Sequence, residues 1–486
     1  MNTTRRLASA MGLTWVLASC ALIHHDTPPD ALIPASEIRM ADDIPRDIGT
    51  WPDAQWWTRY HDPQLDALIA QATANAPSIK IARTRVAQAK SDVELIEAGS
   101  NLQVTGIGTI DRTHVSAHGF LGPFAEEEPS AGLTGPWYTS GLVGLGGSLE
   151  IDIWGKQRAQ IAAAAGVHNA RLAETAAIEL EVSADVAQIY YAIQTRYRLV
   201  DLLQQSEQIA AFSVRTHRAR ADRGLESVTF VDTALASELG AQRRLAATRS
   251  QITALREALR ALIGADAAQM PDIAPAPMPQ SQTGVPTVLA YELLARRPDL
   301  QAMRWYVESS FDRIDAAKAA FYPSFDIKAF FGVNAIHLSE LFTRSSQQLN
   351  LIPGLYLPIF DGGRLNANLG GARANSNLLI EQYNAAVLEA VRDVAQAGNA
   401  LQSLDTQASL QRQAIERLTQ TQASAQAHYE RGLASQYEAV ESQVPVIDER
   451  LVLVDIEGRE ASEQIALTQA LGGGYSTPAP ADPKPR

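Results

Sequence analysis

Apolar residues recur along this chain with two periods, and the two alternate in blocks. Ile79, Ala82, Val86, Ala89, Val93 and Ile96 step by three and four, which is the spacing of a coiled-coil seam. Leu300, Met303, Val307, Ser310, Ile314 and Ala317 repeat that rhythm 221 residues later. Residues 156–220 predict one continuous helix with Val186, Ile189, Tyr190, Ile193 and Tyr197 on one face. Residues 364–430 predict another, through Val387, Val391, Val394, Leu401 and Leu404. At about 1.5 Å per residue each would be roughly 90 Å long. Helices of that length build rods or tubes. Alanine is abundant along them, which favours helix and permits close approach.

Between the helical blocks the period falls to two. Leu149, Ile151 and Ile153 alternate with Ser148, Glu150 and Asp152, and Phe325, Ile327 and Ala329 alternate with Asp326 and Lys328. Leu351, Leu355, Leu357 and Ile359 share a face, and Leu102-Gln103-Val104-Thr105 opens the first such segment. The predicted strands cover about residues 102–112, 140–154, 324–333 and 349–360. About ten alternating residues are the length of a membrane-spanning β-strand; a soluble sheet with one wet face is the weaker alternative. Four strands are too few for a barrel, and open edges are not tolerated in lipid. Single-chain barrels begin at about eight strands. If these strands span, the chain must share its barrel with copies of itself.

The blocks are duplicated. Arg223-Gly224-Leu225-Glu226-Ser227 is answered 208 residues later by Arg431-Gly432-Leu433-Ala434-Ser435, and Ile263-Gly264 by Leu471-Gly472 at the same offset. Asn75-Ala76-Pro77 answers to Arg296-Arg297-Pro298 at 221, and Ile153-Trp154-Gly155 to Ile359-Phe360-Asp361 at 206. The difference places 15 extra residues between the strands of the first half, in the Gly-, Pro-, Ser- and Glu-rich stretch 112–140. The first repeat is therefore residues 64–264 and the second 287–473, joined by a linker at 265–286 and followed by a tail at 474–486. Each repeat carries a helix–turn–helix reversal, at 223–227 and 431–435. Gly224 and Gly432 suit left-handed C-caps, and Ser227 and Ser435 suit the N-caps that follow. Pro445 falls inside the last predicted helix, where it should kink it or cost it a hydrogen bond.

The N-terminus adds a location. Arg5-Arg6 precede a short apolar run, Leu7 to Leu17, and Leu17-Ala18-Ser19-Cys20 resembles a lipobox. Residues 1–19 would be a signal peptide, and 20–63 an extension lipidated at Cys20. Ala21, rather than Asp, favours the outer membrane. Cys20 is the only cysteine of the 486 residues, so no disulfide framework exists. Net charge is −13, which argues against a nucleic-acid partner. Mean hydropathy of −0.11 excludes a multi-helix membrane protein.

With this duplication, the lipobox and the paired Gly-Leu-x-Ser turns, the chain resembles the TolC-like outer membrane factors, most closely their lipidated NodT-type branch. Trp51-Pro52-x-x-Gln55-Trp56-Trp57, Glu292-Leu293-Leu294-Ala295-Arg296-Arg297-Pro298-Asp299-Leu300, Phe321-Tyr322-Pro323-Ser324-Phe325 and Asp361-Gly362-Gly363-Arg364-Leu365-Asn366 add to the likeness. The resemblance implies a mainly α fold with a membrane β-barrel. A homotrimer would form twelve strands in the outer membrane and a long periplasmic helical tunnel. It implies an exit channel for toxic small organic compounds, docked to a periplasmic membrane-fusion adaptor and an inner-membrane efflux pump. Gly224, Leu225, Ser227, Gly432, Leu433 and Ser435 would form the adaptor-docking tip. Glu438 and Glu441, six and nine residues after Gly432, would narrow the pore as rings of carboxylates, with Tyr429 as a tip aromatic. The sequence departs from the family at two positions: Ala434 replaces an arginine and Phe230 an acid, so a salt-bridge lock between the hairpins is not expected.

Other signals are weaker. His114 and His118 lack a third ligand for a metal. Gly141, Gly144, Gly146 and Gly147 precede a strand rather than a helix, so barrel bends suit them better than a phosphate loop. No nucleophile–base arrangement is visible, so no enzyme and no cofactor beyond the lipid on Cys20 are expected. The competing functions are a protein-secretion channel, a periplasmic adaptor lipoprotein and a structural coiled-coil surface protein.

Overall fold

The computed structural model describes residues 23, 28–34, 51–128, 130, 133–279 and 295–476. The predicted signal peptide, Cys20, Glu292, Leu293, Leu294 and most of the tail lie outside them. In chain order the main elements are helices α1 (Pro63–Asn75) and α2 (Pro77–Ser100), strands β1 (Gln103–His114) and β2 (Trp137–Ile151), and helices α3 (Lys156–Ala221) and α4 (Val228–Leu262). The second half follows with α5 (Pro298–Ala319), β3 (Ser324–Ala335), β4 (Gln347–Tyr356), α6 (Arg364–Glu430), α7 (Gln436–Glu441) and α8 (Val444–Ala470). Helices α3 and α6 run unbroken for 66 and 67 residues, as their seams require.

The chain divides into two compact units. One comprises Ala87–Asn169 and Trp305–Ile380 with the described residues up to Ala31. It holds an antiparallel four-stranded sheet in the order β1-β2-β3-β4, with β1 and β4 at its edges. Two strands end earlier than the alternation predicted, β2 at Ile151 instead of 154 and β4 at Tyr356 instead of 360. Each stops where a helix cap takes over. Asp152 accepts from the Arg158 amide at 2.9 Å, and Asp361 accepts from the Gly363 and Leu365 amides at 3.0 and 2.6 Å. The long connection between β1 and β2 is an exposed stretch with one short 3-10 turn, Gly122–Ala125, and a two-residue ladder. Ile314, Ala317, Phe321, Leu365 and Leu369 form a small core beside the sheet, with Ile23 packed on it.

The other unit comprises Leu32–Val86, Ala170–Arg304 and the described residues from Glu381 onward. Its core joins Leu65, Leu68, Ile69 and Ile79 to Val186, Tyr190, Ile193, Leu259, Ile263 and Ile465. Tyr190 donates from its hydroxyl to Asp62 Oδ2 at 2.6 Å, while Asp62 caps α1 through the Gln64 and Leu65 amides. The described part of the linker is tied to α3: Gln194 donates to Ala274 O and accepts from Ala276 N, and Tyr197 donates to Ile273 O. The duplication is visible in its joints. Gly264 and Gly472 both end a helix at positive φ, and a Cβ on either would strike the carbonyl of the second residue before a helix-starting proline, Asn75 or Arg296.

Pro445 does not kink a continuous helix. The helix stops at Glu441 and restarts at Val444, with Pro445 in its first turn, where the missing N–H costs no hydrogen bond. The short α7 is thereby separated from α8.

Candidate functional site

The sheet's two faces differ in chemistry, and the register shows which residues share each. One face carries Val104 and Ile110 of β1, Val143, Leu145, Leu149 and Ile151 of β2, Phe325, Ile327, Phe331 and Val333 of β3, and Leu349, Leu351 and Leu355 of β4. Most are well exposed in the single chain. The opposite face carries Thr105, Thr109, Asp111, Ser148, Glu150, Asp326, Lys328, Asn334, Gln348 and Asn350, with Ile107, Leu142, Phe330 and Ile352 as aliphatic or phenyl exceptions. An apolar band on one side and a polar surface on the other is the pattern of a barrel wall between lipid and a wet lumen. The unpaired edges of β1 and β4 are the edges such a wall must close on other chains. Among the described residues no helix is long and apolar enough to cross a membrane. The glycine cluster has a local use. Gly144 sits opposite Gly332 with the Phe330 ring beside both, and a Cβ on Gly144 would meet Phe331 O at 2.6 Å. His114 lies against the ring of Trp137, and among the described residues no three His, Cys, Asp or Glu side chains gather as a metal site.

The two helical reversals are built alike. Gly224 and Gly432 have φ of 71° and 72°. The amides of Leu225 and Leu433 return to Arg220 O and His428 O at 2.9 and 2.8 Å, which closes each helix end. Leu225 and Leu433 are left 70% and 73% exposed, on rigid turns. Ser227 and Ser435 cap the helices that follow, as expected.

The turns differ at the third residue after the cap. In the second, Glu438 accepts from the Ser435 amide at 2.7 Å and the Ser435 hydroxyl accepts from the Glu438 amide at 3.2 Å, a complete capping box. These hydrogen bonds, with the charge of Arg220 nearby, hold the Glu438 carboxyl below its ordinary value. Glu438 is exposed and Glu441 half-buried. In the first turn Phe230 occupies the equivalent place and stacks on His217, with ring centroids 5.9 Å apart.

The two hairpins do touch here, through residues that sequence reasoning did not single out. Glu226 accepts from His217 Nδ1 at 2.6 Å and from Arg220 at 2.9 Å, all within the first hairpin. His217 and Arg220 then meet Tyr437 of α7: His217 Nε2 lies 3.2 Å from the hydroxyl, and the Arg220 guanidinium carbon lies 5.3 Å from the ring centroid, a cation–π approach. Beside the turns the contact across the hairpins is thus an aromatic clasp, and the ion pairs to Glu226 stay within the first hairpin. Tyr429, the aromatic expected to act here, takes no hydrogen-bond or ring partner with its side chain among the described residues. No sequence signal points to Tyr437: it is the second residue of α7, and only the folded hairpins bring it to His217. Farther along, Arg198 of α3 and Arg412 of α6 share the Glu457 carboxylate of α8 at 2.7 and 3.3 Å.

The comparisons with known proteins agree with this geometry. The profile of the family described as outer membrane efflux protein matches residues 68–265 and 289–473, the two repeats. The chain is 48% identical over 469 residues to the multidrug resistance outer membrane protein MdtP of Shigella flexneri, with 96% of each chain covered. It is similar to the solved outer membrane protein VceC of Vibrio cholerae, with a TM-score of 0.76 and 28% identity over 88% of this chain and 100% of that one. The CmeC outer membrane channel of Campylobacter jejuni has the same fold, with a TM-score of 0.82 at 18% identity over 94% of this chain and 96% of that one.

Proposed function

The chain belongs to the outer membrane efflux protein family, and from that premise we propose that it is the exit duct of a tripartite multidrug efflux system. It is an outer-membrane protein with a TolC-like fold. The observation that carries the duct is the sheet: four strands, apolar on one face and polar on the other, with both edges unpaired. Three copies joined edge to edge would close a twelve-stranded barrel whose polar face lines the passage. The work of pumping belongs to an inner-membrane partner, bridged by a periplasmic adaptor. The compounds carried are small toxic organic molecules, the class that the name of the similar MdtP protein suggests.

The adaptor docks on the turns at Gly224, Leu225 and Ser227 and at Gly432, Leu433 and Ser435, where two leucines stand exposed on capped, rigid loops. Glu438 and Glu441 act as carboxylate rings that narrow the closed pore, and the clasp on Tyr437 holds α7 in place. The anchor is a lipid on Cys20. Ile23, three residues on, packs on Leu365 and Leu369 at the end of the sheet from which the helices leave, which supports an anchor at the inner surface of the outer membrane.

Single-channel conductance of the purified, lipidated protein, with cross-linking to count copies, tests this. A trimer with a small, cation-preferring conductance that rises in Glu441→Ala is expected. Absence of a trimer in the outer membrane would overturn the duct.

A further inference from the structure

The helices leave the sheet at the Gln103 and Ile151 ends of β1 and β2, so the opposite ends, His114 and Trp137, reach the outer surface of the membrane. The register there puts Arg112 opposite Thr139 and His114 opposite Trp137, on the face that lower down carries Ile110, Val143 and Leu145. Thr139 is bridged in turn to His337, just beyond β3. Arg112, His114, Trp137 and Thr139 therefore form a patch across two strands, on the apolar face, at that rim. Its side chains can all donate hydrogen bonds, and it holds no carboxylate; Asp111 faces the other way and takes the Thr113 hydroxyl. The chain as a whole carries a net charge of −13, so a cationic patch on its membrane face is not a sample of its average surface.

The patch is also ordered. The Arg112 guanidinium carbon lies 5.2 Å from the centroid of the Trp137 ring, and the His114 ring lies 4.7 Å from it at 72°. Stacking on an indole limits the rotamers of the arginine and leaves its fork of N–H groups directed outward. Trp137 is 54% exposed, with Ile110 below it and Phe342 of the β3–β4 connection 82% exposed. Leu338 of the same connection, 39% exposed, lies over Gly141 on the same face, while Leu341 is buried there. Apolar groups for acyl chains thus adjoin a planar, forked donor at the level of the headgroups.

We propose that this rim binds the phosphate of an outer-leaflet lipid headgroup, with Arg112 as the bidentate donor, Trp137 as its platform and His114 and Thr139 as flanking donors. The occupant is a phosphorylated lipid rather than a free anion, because the exposed apolar side chains beside the fork match acyl chains. This goes beyond the duct function and rests on the reading of the sheet as an outer-membrane barrel wall.

The test is native mass spectrometry of the purified protein with diphosphorylated lipid A, with its dephosphorylated form and with added inorganic phosphate. Wild type should retain the phosphorylated lipid about fivefold better than the dephosphorylated one. Arg112→Gln should remove that preference, and Lys328→Gln, on the polar face, should leave it intact. Channel conductance of each variant reports assembly independently of lipid. If Arg112→Gln fails to assemble, Arg112→Lys takes its place: it keeps the charge, loses the fork and should show a weaker preference. Equal retention of the two lipids by wild type, or an unchanged preference in the Arg112 variant, overturns the proposal. Displacement of the lipid by equimolar inorganic phosphate would assign the patch to a free anion and overturn it as well.

Discussion

His217 Nε2, near the end of α3, lies 3.2 Å from the hydroxyl of Tyr437 on α7. The two residues stand 220 apart in sequence, one on each repeat, and their contact is where the hairpins meet beside the turns. Tyr437 contributes a hydrogen bond, an edge-on ring contact with His217 at 5.1 Å and a face for Arg220. A hydrogen bond and an exposed cation–π contact are each worth about 1 kcal/mol. Tyr437→Ala should then shift the closed–open balance by roughly tenfold or more toward open. Tyr437→Phe, which keeps the ring, should shift it less. Open probability in a bilayer checks this, and equal effects of the two variants would show that the ring contacts contribute little.

The same network gives a pH dependence with a definite sign. Hydrogen bonds from His217 and then Arg220 hold the Glu226 carboxyl below its ordinary value. A lowered carboxylate contributes stability that is present above the ordinary glutamate value and is lost as pH falls through the lowered one. The groups facing it are His217, Arg220 and Tyr437, with Glu438 near Arg220. Protonating His217 keeps its hydrogen bond to Glu226 and adds an ion pair. Amide exchange over residues 217–230 should therefore stay slow through mild acid and quicken only below about pH 4, under the ordinary glutamate value. Quickening already well above the ordinary glutamate value would mean that the Glu226 pairing does not hold the turn.

Glu438 and Glu441 should separate in mutation. Glu438 completes the capping box on Ser435, so Glu438→Ala removes both a helix cap and the carboxylate proposed to line the pore. Loss of such a cap costs about 1 kcal/mol. Glu441 has no part in that box, and Glu441→Ala removes charge alone. Cation selectivity should fall in both variants, whereas amide protection of residues 436–441 should fall only in Glu438→Ala. Unchanged selectivity in Glu441→Ala would remove it from the pore.

Much of this was legible in the sequence, for physical reasons. The seams from Ile79 and Leu300 and the unbroken runs of α3 and α6 follow from periodicity sustained over many turns. The Gly-Leu-x-Ser turns were legible because a positive φ and a serine cap have few residue solutions. The strand ends were less so: alternation continues through Ile153 and Ile359, but the caps on Asp152 and Asp361 stop the ladder first. The clasp was not legible at all. Histidine, arginine and tyrosine have no fixed spacing across two repeats, and only the folded hairpins bring His217 to Tyr437. The departure at Phe230 was visible, but not that its ring would stack on His217.

Glycines in the sheet should respond unequally to one added methyl group. Gly108 has open space where a Cβ would stand, while Gly144 would meet Phe331 O at 2.6 Å and Gly332 Cα at 2.8 Å. Gly108→Ala should leave the yield of assembled channel near wild type. Gly144→Ala should cost about 1–3 kcal/mol by forcing β2 away from β3. Heat resistance of the assembled channel on denaturing gels checks the pair, and equal resistance would place slack between those strands.

Pro445 offers the last prediction. Ser442 and Gln443 keep helical dihedrals, but the helical ladder is interrupted between Glu441 and Val444, and Pro445 sits in the first turn of α8 with its fixed φ. Val440 and Val444 pack on the cluster of Leu202, Ile209, Ile447 and Val454 from either side of that break. With alanine at 445, an N–H becomes free to donate to the carbonyl four residues back, at Glu441, and α7 gains a route to join α8. Pro445→Ala should therefore raise amide protection at Ser442 and Gln443, stiffen α7 and lower the rate at which the channel opens. The proline acts as a separator in this account, so its removal should slow the gate while leaving the clasp on Tyr437 in place. Faster opening, with protection at Ser442 and Gln443 unchanged, would mean instead that Pro445 props the closed arrangement.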